Sequence, residues 1–366
     1  MRIPLVDLSA QYEALRGELE PIVLERLRAC DYVGGASVKT FERSFATYCG
    51  ARHAIGCGNG TDAIELLVRA AGLSRGDEVI IPASTFIATA VALMRAEVRP
   101  VVVDCEAGSA AIDVSSLEPA ITPRTRAIMP VWLYGEIANH REIEAIAAKH
   151  NLAMFEDASQ AHGATLDGVR AGALGRAAAF SLYPGKNLGA AGDAGVIVTS
   201  DDALAESCRA LRNYGSEVRY EHPRFGYNSR LDTMQAAILS VKLRHLDAWN
   251  EARRRAAARY DARLSRSVEV ERPRLTGASH VFHLYVVRVP NRDFVLQRLH
   301  AREIGAAIHY PVPVHLHGAT RSLGYAPGSF PNAERRAREI LSLPIYPEIT
   351  DAQIDEVCDS LQGALR

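Results

Sequence analysis

A lysine held on a Pro-Gly turn between two apolar runs is in an odd place for a solubilising charge. In Ser181-Leu182-Tyr183-Pro184-Gly185-Lys186-Asn187-Leu188-Gly189-Ala190, the run 177–180 leads in. Gly192-Asp193-Ala194-Gly195 and the run 196–199 lead out, so Lys186 sits where one strand ends and before the next begins. Desolvation there lowers the pKa of an amine, which suits attack on a carbonyl carbon. Taken alone, the stretch reads more readily as a surface hairpin turn. It is not a P-loop, because Asn187 stands where magnesium binding needs Ser or Thr and the spaced upstream glycine is missing.

Residues 152–157 read as a buried strand ending in Glu156 and Asp157. Strand C-termini are where open α/β sheets bind ligands. Asp157 alone is equally a helix N-cap. A lysine and an aspartate at two such strand ends fit the needs of pyridoxal phosphate. The lysine makes the Schiff base, and the carboxylate keeps the pyridine nitrogen protonated so that the ring draws electrons.

The elements that must position this pair alternate. Gly56-Cys57-Gly58-Asn59-Gly60-Thr61-Asp62 opens a helix over 63–71, a setting in which backbone N–H groups and the helix dipole can meet an anion, although an ordinary capped helix explains the stretch as well. Strands are expected over 79–82, 101–104 and 127–135, and helices over 85–93 and 143–150. Continuous apolar strands separated by helices predict a mostly parallel sheet covered on both faces. A polar loop, 216–224, precedes a long amphipathic helix over 231–246, and 249–264 is a helical bridge between domains. From about residue 266 the pattern turns α+β, with strands over 283–289 and 305–310 and helices over 292–303, 331–342 and 351–364. Residues 1–12 read as an extended arm and 13–30 as a helix.

The stretches 156–164 and 181–190 resemble the DegT/DnrJ/EryC1/StrS family of fold-type I, pyridoxal-phosphate-dependent aminotransferases acting on nucleotide-linked keto sugars. The resemblance runs from residues 3–8 to 343–347. It implies an α/β fold with a large domain over 13–248, a mostly parallel central sheet flanked by helices, and a smaller C-terminal α+β domain over 249–366. It makes Lys186 and Asp157 the catalytic pair, and gives Gly60, Thr61 and Ser181 to the cofactor phosphate. Phe86 would stack on the pyridine ring and Gln160 would bond its phenolic oxygen. Asn228 would reach the phosphate in the neighbouring subunit of a homodimer with shared sites. Tyr183, Tyr214, Arg219, His309, Tyr310 and His315 are the substrate-contacting set the resemblance suggests. The expected reaction carries an amino group from L-glutamate to a nucleotide-linked keto-6-deoxyhexose, at C3 of a dTDP sugar. C4 amination, a sugar dehydratase and a non-catalytic regulatory protein that binds pyridoxal phosphate are the alternatives. Related chains carry Gln where His317 stands and commonly Gly at Ala194.

Bulk properties narrow the partners. The chain has 366 residues with 42 basic and 43 acidic side chains, so no global field draws it to nucleic acid or an anionic membrane. Six cysteines without framework spacing suggest a reducing, cytoplasmic setting, and no apolar run is long enough to span a bilayer. His309, His315 and His317 invite a metal, but intervening prolines break any helical ligand spacing and no Cys or carboxylate lies among them, so none is expected.

Overall fold

The computed structural model of the protein describes residues 1–218 and 220–366. Its first helix, α1 (Leu8–Arg28), starts earlier than its polar sequence suggests. Asp7 caps it by accepting the Ala10 N–H at 2.9 Å, so the extended stretch ends at residue 7 rather than 12. That stretch is stitched down: Ile3 is buried, its carbonyl accepts the Gly305 N–H at 2.7 Å, and the Leu5 carbonyl accepts the Ile345 N–H at 3.1 Å. Helix α2 (Gly35–Cys49) buries Val38, Phe41 and Phe45 along one helical face.

The central layer is a seven-stranded sheet in the order β1-β9-β8-β5-β4-β2-β3. In chain order its strands and helices are β1 (His53–Cys57), α3 (Gly60–Ala70), β2 (Glu78–Pro82), α4 (Ile87–Arg95), β3 (Arg99–Val103), α5 (Leu117–Ala120), β4 (Thr125–Ile128), α6 (His140–Lys149) and β5 (Ala153–Asp157). A short hairpin, β6 (Thr165–Leu166) and β7 (Val169–Arg170), precedes β8 (Ala177–Ser181), β9 (Gly195–Thr199) and α7 (Asp202–Leu211). Only β9 runs against the others, pairing antiparallel with β1 and β8. Side chains alternate across the sheet. Ala177, Ala179, Ile197 and Phe155 face one core with α3, while Ala178, Phe180, Val196 and Val198 face another with α2.

Strand β4 stops at Ile128 instead of continuing to 135. Pro130 has no N–H to give the ladder, although its carbonyl accepts the Asp157 N–H at 3.0 Å. The chain then turns through Tyr134, at φ 62°. That break opens a wall beside the end of β5.

Helices α8 (Thr233–Leu243) and α9 (Leu246–Leu264) carry the chain to a second core. There β10 (Tyr285–Arg288) pairs antiparallel with β11 (Ile340–Leu343), flanked by α10 (Arg292–His300), α11 (Pro331–Glu339) and α12 (Asp351–Leu365). Two expectations are corrected here. The helix expected over 331–342 ends at Glu339, because the four residues that follow are wholly buried and pair as a strand. Residues 305–310 form no strand; only Ala307 pairs, with Ser342.

Candidate active site

The carboxyl ends of β5, β8 and β2 and the start of α3 converge on a cavity of about 330 Å³. Lys186, Asp157, Phe86, Gln160, Gly60 and Thr61 all line it, as do Ser181, Tyr183 and Tyr310. Residues far apart in sequence meet here because parallel strands end on the same side of the sheet.

Asp157 is held from three directions. Its backbone is laddered to residues 130–132, its Oδ1 accepts the Ser159 N–H at 3.2 Å, and its Oδ2 accepts the Thr89 hydroxyl at 2.7 Å. Thr85 lies 2.8 Å from Thr89, and both hydroxyls are buried. These threonines were not foreseen. Their signal was the spacing of four residues across the start of α4: Thr89 lies in its first turn and Thr85 just ahead of its cap, Phe86. The neighbouring Glu156 turns the other way. It accepts from Trp132 Nε1 at 2.8 Å and from the backbone of Gly172, Leu174 and Gly175 at 3.0 Å each, locking the end of β5 from behind.

Lys186 stands on the turn after β8, its backbone N–H bonded to the Tyr183 carbonyl at 2.9 Å. Loss of hydration at the cavity floor pushes its amine down to about 8, against the pull of Asp157 in the other direction. An amine in that state is partly free base near neutral pH and able to attack a carbonyl. The surrounding histidines add no charge: burial pushes His162 down to about 3 and His309 to about 4, with the Lys186 charge second in each.

Asn59 caps α3 by accepting the Asp62 N–H at 2.8 Å, which leaves the Gly60 and Thr61 N–H groups without a helical acceptor. A Cβ on Gly60 would lie 2.6 Å from that of Ser181, so only glycine lets the helix start sit against the end of β8. Backbone N–H groups, a helix dipole and the Ser181 hydroxyl thus share one corner, a cradle for a phosphate.

Gln160 is oriented by the Tyr134 N–H, which its Oε1 accepts at 2.6 Å, while its Nε2 donates to the Tyr310 hydroxyl at 3.2 Å. Tyr310 in turn lies against Phe86, ring centroids 5.0 Å apart. These features suit pyridoxal phosphate. There is an anion cradle at one end, a clamped carboxylate and a desolvated lysine toward the other, and an exposed aromatic face between them.

Not every expected residue comes to the cavity. His309 adjoins Tyr310, its Nδ1 on Ser342 at 2.8 Å and its carbonyl accepting the Tyr134 hydroxyl at 2.6 Å. His315 is buried elsewhere, with Nε2 on Glu334 at 3.1 Å and its ring edge-on to Phe330. Tyr214 is exposed beside Arg230, and Asn228 is exposed and bridged to Asn213. Arg219 lies outside the described residues. Among the described residues no group of three His, Cys, Asp or Glu side chains is placed to hold a metal ion, and no helix is long and apolar enough to cross a membrane.

Comparison with known proteins gives the chain its relatives. The chain is 47% identical over 364 residues to a pleiotropic regulatory protein of Geobacillus stearothermophilus, covering 99% of this chain and 98% of that one. It is 44% identical over 362 residues to dTDP-3-amino-3,4,6-trideoxy-alpha-D-glucose transaminase of Streptomyces venezuelae, covering 99% and 96%. The crystal structure of S. venezuelae DesV in complex with a ketimine intermediate superposes with a TM-score of 0.96 at 44% identity, covering 100% of this chain and 99% of that one. The profile of the DegT/DnrJ/EryC1/StrS aminotransferase family matches residues 15–362, and the chain belongs to that family.

Proposed function

We propose that the protein moves an amino group from L-glutamate to C3 of a dTDP-linked keto-6-deoxyhexose, with pyridoxal 5'-phosphate as cofactor. The observation that carries this reading is the convergence, on one cavity, of the Lys186 amine, the clamped Asp157 carboxylate and the bare N-terminus of α3. The C3 assignment rests on the transaminase relative named above, and on a UDP-N-acetyl-3-dehydro-alpha-D-glucosamine 3-aminotransferase of Acidithiobacillus ferrooxidans that is 42% identical over 364 residues.

Gly60, Thr61 and Ser181 would hold the cofactor phosphate, Phe86 its ring, Gln160 its phenolic oxygen and Asp157 its ring nitrogen. When bound, the cofactor supplies an electron sink that lets a proton leave the carbon bearing the amino group. Asp157 keeps a proton on the ring nitrogen, with its own position set by Thr89. Lys186 Nζ would take that proton and return it to the carbon on the other side of the amino nitrogen. Run forward with glutamate and backward with the keto sugar, the same two groups complete the transfer. Tyr183, His309 and Tyr310 are assigned to the sugar, with residues 249–366 closing over a cofactor-binding domain of 13–248 and excluding water.

The same reading makes the active unit a homodimer. Asn228 is exposed and apart from its own cavity, and the loop before it exposes Val218 and Phe225 to solvent. Asn228 and Arg219 are assigned to the neighbouring subunit's site, with Tyr214 beside them. Mixing Lys186→Ala with Asn228→Ala protomers, under shown subunit exchange, is expected to restore activity. A silent mixture would place the loop in cis.

The regulatory name of one relative favours a second reading, cofactor binding without turnover. Adding glutamate to the purified protein separates the two, because turnover converts the cofactor and changes its absorbance. Incubation with glutamate and a panel of keto-sugar nucleotides, followed by mass spectrometry, then reads the substrate and the carbon aminated. No product from any 3-keto sugar, with product from a 4-keto sugar, would overturn the C3 assignment.

A further inference from the structure

The residue after the reactive lysine is more tightly held than the lysine itself. Asn187 is 2% exposed, and all three of its contacts come from other parts of the fold. Its Nδ2 donates to Asn250 Oδ1 at 2.8 Å and to the Val281 carbonyl at 3.1 Å, and its Oδ1 meets His283 Nδ1 at 3.2 Å. Asn250, on α9, passes the connection on by donating its own Nδ2 to the His162 carbonyl at 2.8 Å, in the loop that follows Asp157. The two amides therefore join the lysine turn, the aspartate loop, the bridging helix and the segment that leads into β10.

The hydrogen-bond chemistry fixes the protonation of this knot. The Val281 carbonyl only accepts, so the amide nitrogen of Asn187 must face it and the oxygen must face His283. An amide oxygen only accepts, so His283 carries its proton on Nδ1. His283 is held neutral, well below the usual histidine range, by burial first and then by the charges of Lys186 and Arg253. A protonated ring there would add a cation beside Lys186; the neutral ring supplies the same donor without it.

We propose that Asn187 and His283 are positioning residues for Lys186: their hydrogen bond fixes the peptide after the lysine, and so keeps the amine at the desolvated cavity floor and ties its placement to the segment entering β10. The inference rests on Lys186 being the reactive amine. Without the clamp the turn is free to let Nζ reach water, and its affinity for a proton moves back toward that of an ordinary lysine.

The test is competitive acetylation of the full chain in its cofactor-free form across a pH series. Peptide mapping reads Lys186, with the exposed Lys149 as internal reference. In the parent protein the Lys186 rate is expected to inflect near pH 8. In Asn187→Ala and His283→Phe the inflection is expected to rise by at least about one unit, because the amine regains hydration. His283→Asn, which keeps an N–H donor at the Nδ1 position, is expected to restore it. Folded variants with lowered melting temperature but an unmoved inflection would show a merely structural role and overturn the proposal. If His283→Phe does not fold, Asn187→Ser decides by the same two outcomes. Borohydride reduction of the cofactor-loaded parent keeps the two failures apart. A pyridoxyl label on another lysine sinks the functional reading and this inference with it. A label on Lys186 with an unmoved inflection sinks the inference alone.

Discussion

Lys186 and Lys242 are both desolvated, and burial pushes each amine from the usual 10.5 down to about 8. By amine chemistry alone they are equivalent, yet their surroundings differ in every other respect. Lys186 opens on a cavity that also holds Asp157 and the start of α3. Lys242 donates to the Gly189 carbonyl at 2.9 Å and borders an apolar cavity of about 490 Å³ lined by Leu8, Leu19, Val23, Met234 and Ile238. The charge of Glu348 pulls its amine the other way, and it faces neither an anion cradle nor a carboxylate clamped by a hydroxyl. A lowered pKa makes an amine available; a catalyst also needs a phosphate seat and a proton-holding acid at fixed places around it. Lys242 instead pins the far end of the Lys186 turn.

The largest expected effect separates the two lysines outright. Lys186→Ala is expected to lose covalent cofactor attachment and to reduce turnover by more than about 10⁴-fold, the upper end of what one proton-transfer group contributes. Lys242→Ala is expected to keep the attachment. Borohydride labelling on Lys242, Lys149 or Lys39 in the parent protein would reverse the comparison.

Next in size is the acid that Lys242 lacks. Asp157→Asn is expected to bind cofactor with turnover lower by about 10²–10³-fold, since an amide cannot hold a proton on the ring nitrogen. Single-turnover kinetics with glutamate read this directly, and a near-normal rate would remove Asp157 from the role.

A pH series sharpens the comparison further. Lys186 is a base whose folded-state pKa lies below its usual value, so the free amine accumulates as pH rises through about 8 and is nearly complete beyond it. Cofactor capture by the cofactor-free chain is therefore expected to rise up to that region and then level off. A rate still climbing toward pH 10 would mean an ordinarily hydrated lysine. The smallest effect belongs to Lys242→Met. It leaves the Gly189 carbonyl without its donor, at a cost of about 1–3 kcal/mol. Removal of a buried charge offsets part of that loss. A modest fall in melting temperature with cofactor attachment intact is the expected result.

Much of this is legible along the chain. Asp157 and Lys186 stood out because each ends an apolar run, a signal carried by a few adjacent residues. The helix over Gly60–Ala70 and the alternation of strands and helices were legible for the same reason. Thr89 was not, since a threonine inside a helix is ordinary until the fold sets it 2.7 Å from a carboxylate. Residues 340–342 of the strand Ile340–Leu343 read as the end of the preceding helix, because so short a stretch, three apolar residues and one serine, carries no period that separates the two. His315 looked equivalent to its histidine neighbours in sequence, yet it packs against Phe330, away from the cavity.

What the sequence determined alone was therefore local: which residues carry reactive groups, which turns present them, and which strands are apolar enough to be buried on both faces. Those properties depend on side chains within a few positions of one another. The tertiary structure decided which of two equally desolvated lysines faces a carboxylate and a phosphate seat, and which tautomer His283 must hold. Both depend on distances between strand ends and loops that only the order of strands in the sheet brings together.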